Sequence, residues 1–196
     1  MKYFYNRRLF FIFTLLIITL STILFSTPSI QATDSQKANL ADTPKGQTLY
    51  TQFTFFYEEN YHVTTNYRKG ILVPVNTEVK FVKAKRNTIV VTLPNGQDLE
   101  IENIEAYSGE KIEGIFNRTF GINPVNLSKF TAEEKNAIIA GEVKVGMGKS
   151  AVIVALGYPP KHKTSSLQLD QWQYWHNRFD TFVVYFENDR VKQIND

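Results

Sequence analysis

One stretch constrains this chain more than any other, because it carries its own stop signals: Val145-Gly146-Met147-Gly148-Lys149-Ser150-Ala151-Val152-Ile153-Val154-Ala155-Leu156-Gly157-Tyr158-Pro159-Pro160. Gly157 stands where a left-handed residue would end a helix, and Pro159 and Pro160 follow where a helix cannot continue. Met147, Ala151, Val152, Ala155 and Leu156 recur at spacings of three and four. The sequence therefore predicts a short helix with that side buried.

What flanks this helix predicts a compact unit over residues 128–196. Thr131-Ala132-Glu133-Glu134 reads as a capping box, with Thr131 at the N-cap and Glu134 reaching back, and Gly141 closes the helix that follows. Lys161 to Leu169 is a polar loop. Asp170 to His176, Thr181 to Glu187 and Arg190 to Ile194 are strands, the last two joined at Asn188-Asp189. Strands joined in that order form an antiparallel meander, with the helices on one face.

Residues 47–107 are dense in strand signals. Thr48 to Tyr57 is β-branched and aromatic, and a second run follows from Tyr61 to Tyr67. Arg68-Lys69-Gly70 makes a turn before Ile71-Leu72-Val73-Pro74. Glu78 to Lys83 and Thr88 to Leu93 are further strands, and Pro94-Asn95-Gly96 turns into Asp98 to Ile104. Alternation puts Leu99 and Ile101 inside and Asp98, Glu100 and Glu102 outside. Short strands joined by tight turns suggest a small barrel. Between the two parts, residues 108–127 carry Ile112, Ile115 and Phe116 at amphipathic spacing behind Ser108 as N-cap, predicting a helix packed on one part or the other.

The N-terminus reads as a targeting segment over residues 1–32. Lys2, Arg7 and Arg8 precede an uncharged apolar run from Leu9 to Phe25, and Pro28 precedes a small-residue cleavage site at Ala32. The leader is expected to be removed there, the alternative being retention as a membrane anchor, and either outcome places the rest of the chain outside the cytoplasm. Residues 33–46 are a flexible linker. The chain has 22 Lys+Arg against 19 Asp+Glu, and three of those bases lie in the leader, which leaves 19 of each. The basic balance thus belongs to the leader and gives no support for nucleic-acid binding. With no cysteine, the chain has no disulfide scaffold, thiol nucleophile, Cys-based zinc site or lipid-bearing cysteine.

Two resemblances follow from these residues. Arg68-Lys69-Gly70-Ile71-Leu72-Val73-Pro74-Val75-Asn76-Thr77-Glu78-Val79 resembles the opening of bacterial SH3-like domains, which implies a binding or spacer module without catalytic residues, often near the cell wall. Val145-Gly146-Met147, Val152, Leu156-Gly157-Tyr158-Pro159, Trp172-Gln173-Tyr174 and Val184-Tyr185-Phe186-Glu187-Asn188-Asp189 occur in the order of the SmpA/OmlA (BamE-like) family, over residues 135–195. That resemblance implies two helices on a three-stranded antiparallel sheet and a part in outer-membrane assembly. Gly148 replaces the family's capping Thr, at a cost of only a few tenths of a kcal/mol. The family's lipid-bearing cysteine is missing.

Catalytic patterns find little support. Gly146-Met147-Gly148-Lys149-Ser150 mimics a phosphate-binding loop, but that motif needs a glycine where Val143 stands, and no strand precedes it, so no nucleotide is expected. His62, His162 and His176 share no i, i+4 spacing and read as scattered surface or interface residues rather than a metal site. No Gly-x-Ser-x-Gly elbow anchors a hydrolase. Glu58-Glu59 and the Asp98, Glu100, Glu102 face read as solvated, with Lys80 and Lys83 as cross-strand ion-pair partners. The aromatic run Trp172-Gln173-Tyr174-Trp175-His176 is the strongest binding candidate. One of its faces packs on the helix, and the other is either covered by the linker helix or barrel or offers an anchor to a protein partner, with Arg178 and Phe179 beside it.

The expected fold class is α+β, a small SH3-like β-barrel followed by a BamE-like two-helix plus three-stranded antiparallel sheet domain. The expected function is an exported, non-catalytic protein-binding or scaffold module of the periplasm or cell envelope. It uses Trp172, Tyr174, Trp175, Arg178 and Phe179, needs no cofactor, and touches membrane only through an uncleaved leader. The alternative is a cell-wall (peptidoglycan) module acting through the barrel.

Overall fold

Residues 38–196 are described by a computed structural model. The leader lies outside the described residues, as does the part of the expected linker before Ala38. Residues 38–46 of that linker are not a free spacer, because Ala38 is buried in the first core, Leu40–Asp42 form a 3-10 turn capped by Asn39, and the Gly46 N–H donates to the Phe81 carbonyl (2.7 Å). Among the described residues no helix is long and apolar enough to cross a membrane.

The elements run β1 (Thr48–Thr51), β2 (Phe55–Tyr57), β3 (Tyr61–Val63), β4 (Ile71–Val73), β5 (Glu78–Lys85), β6 (Thr88–Thr92), β7 (Asp98–Glu102), α1 (Glu105–Ser108), α2 (Ile112–Thr119) and β8 (Phe120–Gly121). They continue with α3 (Ala132–Ala140), α4 (Lys149–Leu156), β9 (Gln171–Asn177), β10 (Asp180–Glu187) and β11 (Arg190–Asn195). The class is α+β. A curled six-stranded sheet has the order β3-β7-β6-β5-β1-β8, a three-stranded antiparallel sheet has the order β11-β10-β9, and β2 pairs with β4 alone.

Alternation explains the β6–β7 hairpin. Leu99 and Ile101 are fully buried, their acidic neighbours point outward, and Gly96 takes a positive φ in the connecting turn. The aromatic run of residues 48–57 does not stay one strand. β1 pairs with β5 and β8, whereas β2 pairs with β4, and the chain breaks between them at Gln52–Thr54. The break has a cause: the Thr54 N–H donates to the Val154 carbonyl (2.9 Å) and its hydroxyl to the Ile138 carbonyl (2.8 Å), so both helices draw backbone pairing away from the sheet. The run from Tyr61 likewise shortens to β3, because Thr64 bonds to Asn103 and Asn66 turns to donate to the Leu156 carbonyl (2.5 Å).

The linker helix forms as α2 and buries Ile112, Ile115 and Phe116 in the first core, where Phe116 meets Phe81 edge-on at 5.6 Å. Ser108 is not its N-cap. That residue ends the separate turn α1, its hydroxyl is tied to Asn103 (2.7 Å), and Lys111 occupies the N-cap position without a side-chain bond.

In the second half α3 starts on the predicted capping box. Glu134 Oε2 accepts from the Thr131 N–H (3.0 Å), while its Oε1 accepts from the Gly148 N–H (2.9 Å). One carboxylate thereby serves the starts of both α3 and α4, and the N-cap glycine needs no side chain of its own. α4 buries Ala151, Val152, Val154, Ala155 and Leu156 against Trp172, Tyr174, Phe182, Val184 and Phe186 of the meander. Gly157 does end α4, yet not in the left-handed helical region: φ is 74° and ψ is −167°. Only glycine adopts that conformation readily, and an added Cβ would lie 2.7 Å from the Phe53 ring. Asn188 and Asp189, both at positive φ, turn β10 into β11 as a tight two-residue hairpin.

Candidate functional site

β9 and β10 position the predicted aromatic site. As alternation requires, Trp172 and Tyr174 point to the core face and Trp175 to the other. Trp172 and Tyr174 are completely enclosed: Trp172 packs on Phe186 (4.6 Å between ring centres) and Tyr174 stacks on Phe182 (5.5 Å). The Tyr174 hydroxyl donates to the Gly157 carbonyl (3.1 Å), and burial pushes the phenol pKa up, with Arg68 working the other way. Side chains so enclosed offer nothing to a partner, so these two hold the core and leave the candidate surface to the other three.

Trp175 is half-buried. Tyr67 meets it edge-on (6.3 Å), His162 stacks on it (6.3 Å), and the Lys163 ammonium lies 5.9 Å from its ring centre. Its cover therefore comes from the segment between β3 and β4 and from the loop before β9, with no ring contact to α2. Arg178 and Phe179 form the tip of the β9–β10 hairpin. The Phe179 N–H donates to Asn177 Oδ1 (2.9 Å), which fixes the turn, and its ring stands 89% exposed with the Arg178 guanidinium 5.7 Å from its centre. No other large apolar side chain among the described residues is as exposed.

A groove of about 590 Å³ lies between β2, β3 and the start of β4, lined by Phe56, Tyr61, Tyr67 and Ile71. Tyr61 (45%) and Ile71 (57%) are exposed. Glu58 and Glu59 line it as well, Glu58 paired with Lys69 at 2.8 Å. Sequence reasoning missed this groove, since its residues are spread over three short strands and the segments between them, with no shared period. The signal present was Tyr61 and Ile71, each just after a polar turn.

His62 also borders this groove, and it is a core residue rather than the surface histidine expected. Its Nδ1 lies 2.7 Å from the Phe56 carbonyl, a geometry that places the proton on Nδ1 as donor. Burial pushes its pKa down to about 4; the Phe56 bond opposes this and the Arg118 charge adds to it. His162 lies on the Tyr107 ring (4.7 Å), and His176 Nε2 is 2.7 Å from Asp196 Oδ1. The three histidines stay apart, and among the described residues no cluster of three or more His, Asp or Glu gathers that could hold a metal.

The stretch that mimics a phosphate loop is the start of α4. Lys149 Nζ bonds Asp170 Oδ1 (3.0 Å) and Asp189 Oδ1 (2.9 Å) and lies over the Phe186 ring (5.3 Å), so its charge clips the helix to the meander. The expected cross-strand pairs of Lys80 and Lys83 with Asp98, Glu100 and Glu102 do not form. β6 lies between β5 and β7, which puts those partners two strands apart; Lys80 pairs instead with Glu78 (3.3 Å), and Asp98 accepts from the Thr92 hydroxyl (2.6 Å).

No family model matches the chain, and no curated protein or solved structure does.

Proposed function

We propose that this chain is an exported, non-catalytic protein of the cell envelope that binds another protein through the β9–β10 hairpin, an SH3-like barrel preceding a BamE-like domain that presents the hairpin. Phe179 carries the proposal. A phenyl ring 89% exposed beside an arginine, on a turn fixed by its own side-chain hydrogen bond, is an aromatic–cation pair of the kind that anchors protein interfaces. The order of helices and meander strands supports the finer fold reading, as do the Gly70 turn and the hairpin at Gly96.

Affinity capture from envelope extracts tests this. The chain retains a defined protein partner, and the double variant Arg178→Glu, Phe179→Asp loses it at least tenfold while keeping the parent's circular dichroism. Equal capture by parent and variant, or sedimentation with purified cell wall in place of any protein, rejects the proposal.

A further inference from the structure

Resting on the protein-binding reading above, we infer that the partner of the hairpin tip is a second copy of this chain, with Phe179 of each copy seated in the groove of the other. The tip presents one aromatic ring and one positive charge. The groove presents the complement: an apolar lining of Phe56, Tyr61, Tyr67 and Ile71, with the carboxylates of Glu58 and Glu59 and the single ammonium of Lys69 beside it, an excess of one negative charge. Its volume of about 590 Å³ exceeds several-fold the roughly 150 Å³ cavity that holds a benzene ring, so a phenyl group enters with its neighbours. The ring does not fill its own groove, since it stands 89% exposed.

The fold also puts tip and groove on neighbouring elements. The Arg68 N–H donates to the His176 carbonyl (3.1 Å), three residues before Phe179, and Tyr67 of the groove packs on Trp175 of β9. A patch that carries both a knob and the matching hole is self-complementary, which is what a two-fold interface requires: residue i meets residue j, and j meets i. Arg178 then approaches Glu58 and Glu59 of the other copy. Glu58 is already paired with Lys69, which leaves Glu59 as the carboxylate without an ion-pair partner among the described residues. Opposite charges at the rim set register and on-rate more than affinity.

The test uses the full chain carrying a photo-crosslinking benzoylphenylalanine at position 179, with light- and heavy-isotope copies mixed so that links between copies are told from links within one. Irradiation yields a covalent dimer whose linked peptide lies in residues 56–71 of the other copy. Arg178→Glu lowers the yield at least tenfold, and Glu58→Arg with Glu59→Arg restores it in the same chain. A dimer linked elsewhere overturns the groove assignment. Linkage only to a different protein overturns the second-copy inference and leaves the protein-binding reading standing. No linkage to any protein, from a residue this exposed, overturns both.

Discussion

His62 shows how a single side chain ties stability to pH. Its ring is buried among the strands, packed on Phe55 (4.6 Å between ring centres) and bonded to the Phe56 carbonyl. Burial holds the folded-state pKa at about 4 against 6.5 in an unfolded chain. Between those values the unfolded state binds the extra proton and the folded state does not. Stability is therefore full above about pH 6.5 and falls as the pH drops toward 4, by about 3 kcal/mol in all. Urea midpoints taken across this range show the loss in the parent chain, and His62→Gln removes most of the slope; an unchanged slope in the variant contradicts the assignment. None of this was legible in Tyr61-His62-Val63. Three residues are too few for alternation to declare a face, and the burial of His62 depends on β2 folding back over it.

At the scale of elements, the helices were legible because their ends are local chemistry. Thr131 with Glu134, Gly141 and Gly157 announce starts and stops within a few residues, and each lies at the expected end. Two helix ends differ from expectation, both for nonlocal reasons: Phe53 and Asn66 crowd Gly157 from another part of the chain, and Asn103 takes the Ser108 hydroxyl that was to cap α2. The double duty of Glu134 was likewise invisible, because its second bond reaches fourteen residues along to Gly148. Its removal is correspondingly informative. Glu134→Ala leaves the Thr131 and Gly148 N–H groups without their acceptor and costs about 1–3 kcal/mol. Amide exchange at Gly148 and at the first turn of α3 speeds up together in that variant, whereas exchange of one start without the other denies the shared role. Strand boundaries in residues 48–67 were misread for a related reason: β propensity marks which residues suit a sheet but not which sheet they join.

For the molecule as a whole, the sequence suggests two parts, and the described residues belong to one compact unit with two hydrophobic clusters. Single polar side chains join them. Thr54 and Asn66 donate to the Ile138 and Leu156 carbonyls, and Arg68 donates to the Gly141 carbonyl at the end of α3, where a cation suits the helix dipole. Burial lowers the Arg68 guanidinium to about 10, with Tyr174 and Glu142 opposing, so it stays charged at neutral pH. These joints are isolated polar residues in a β-rich run, without pattern in the sequence. Thr54→Val keeps the shape, removes the donor to Ile138 and the acceptor for the Val75 N–H, and lowers stability by about 2–4 kcal/mol. A urea titration reads this as a lower midpoint at unchanged slope, and a shift within error denies Thr54 the joining role. The surface reading depends on the hairpin as a unit, since Phe179 stands in the turn between β9 and β10, held by its N–H bond to Asn177 Oδ1. The absence of cysteine makes that reading directly measurable, because Asp180→Cys, at an exposed position beside the anchor ring, introduces a unique thiol and leaves Phe179 in place. Its maleimide labelling is to be compared between dilute purified protein and the intact envelope of cells that express the chain, with Lys45→Cys as the exposed control. The hairpin account predicts rapid labelling of both thiols in the purified protein and at least tenfold protection of position 180 alone in the envelope; equal labelling of the two positions in the envelope contradicts it.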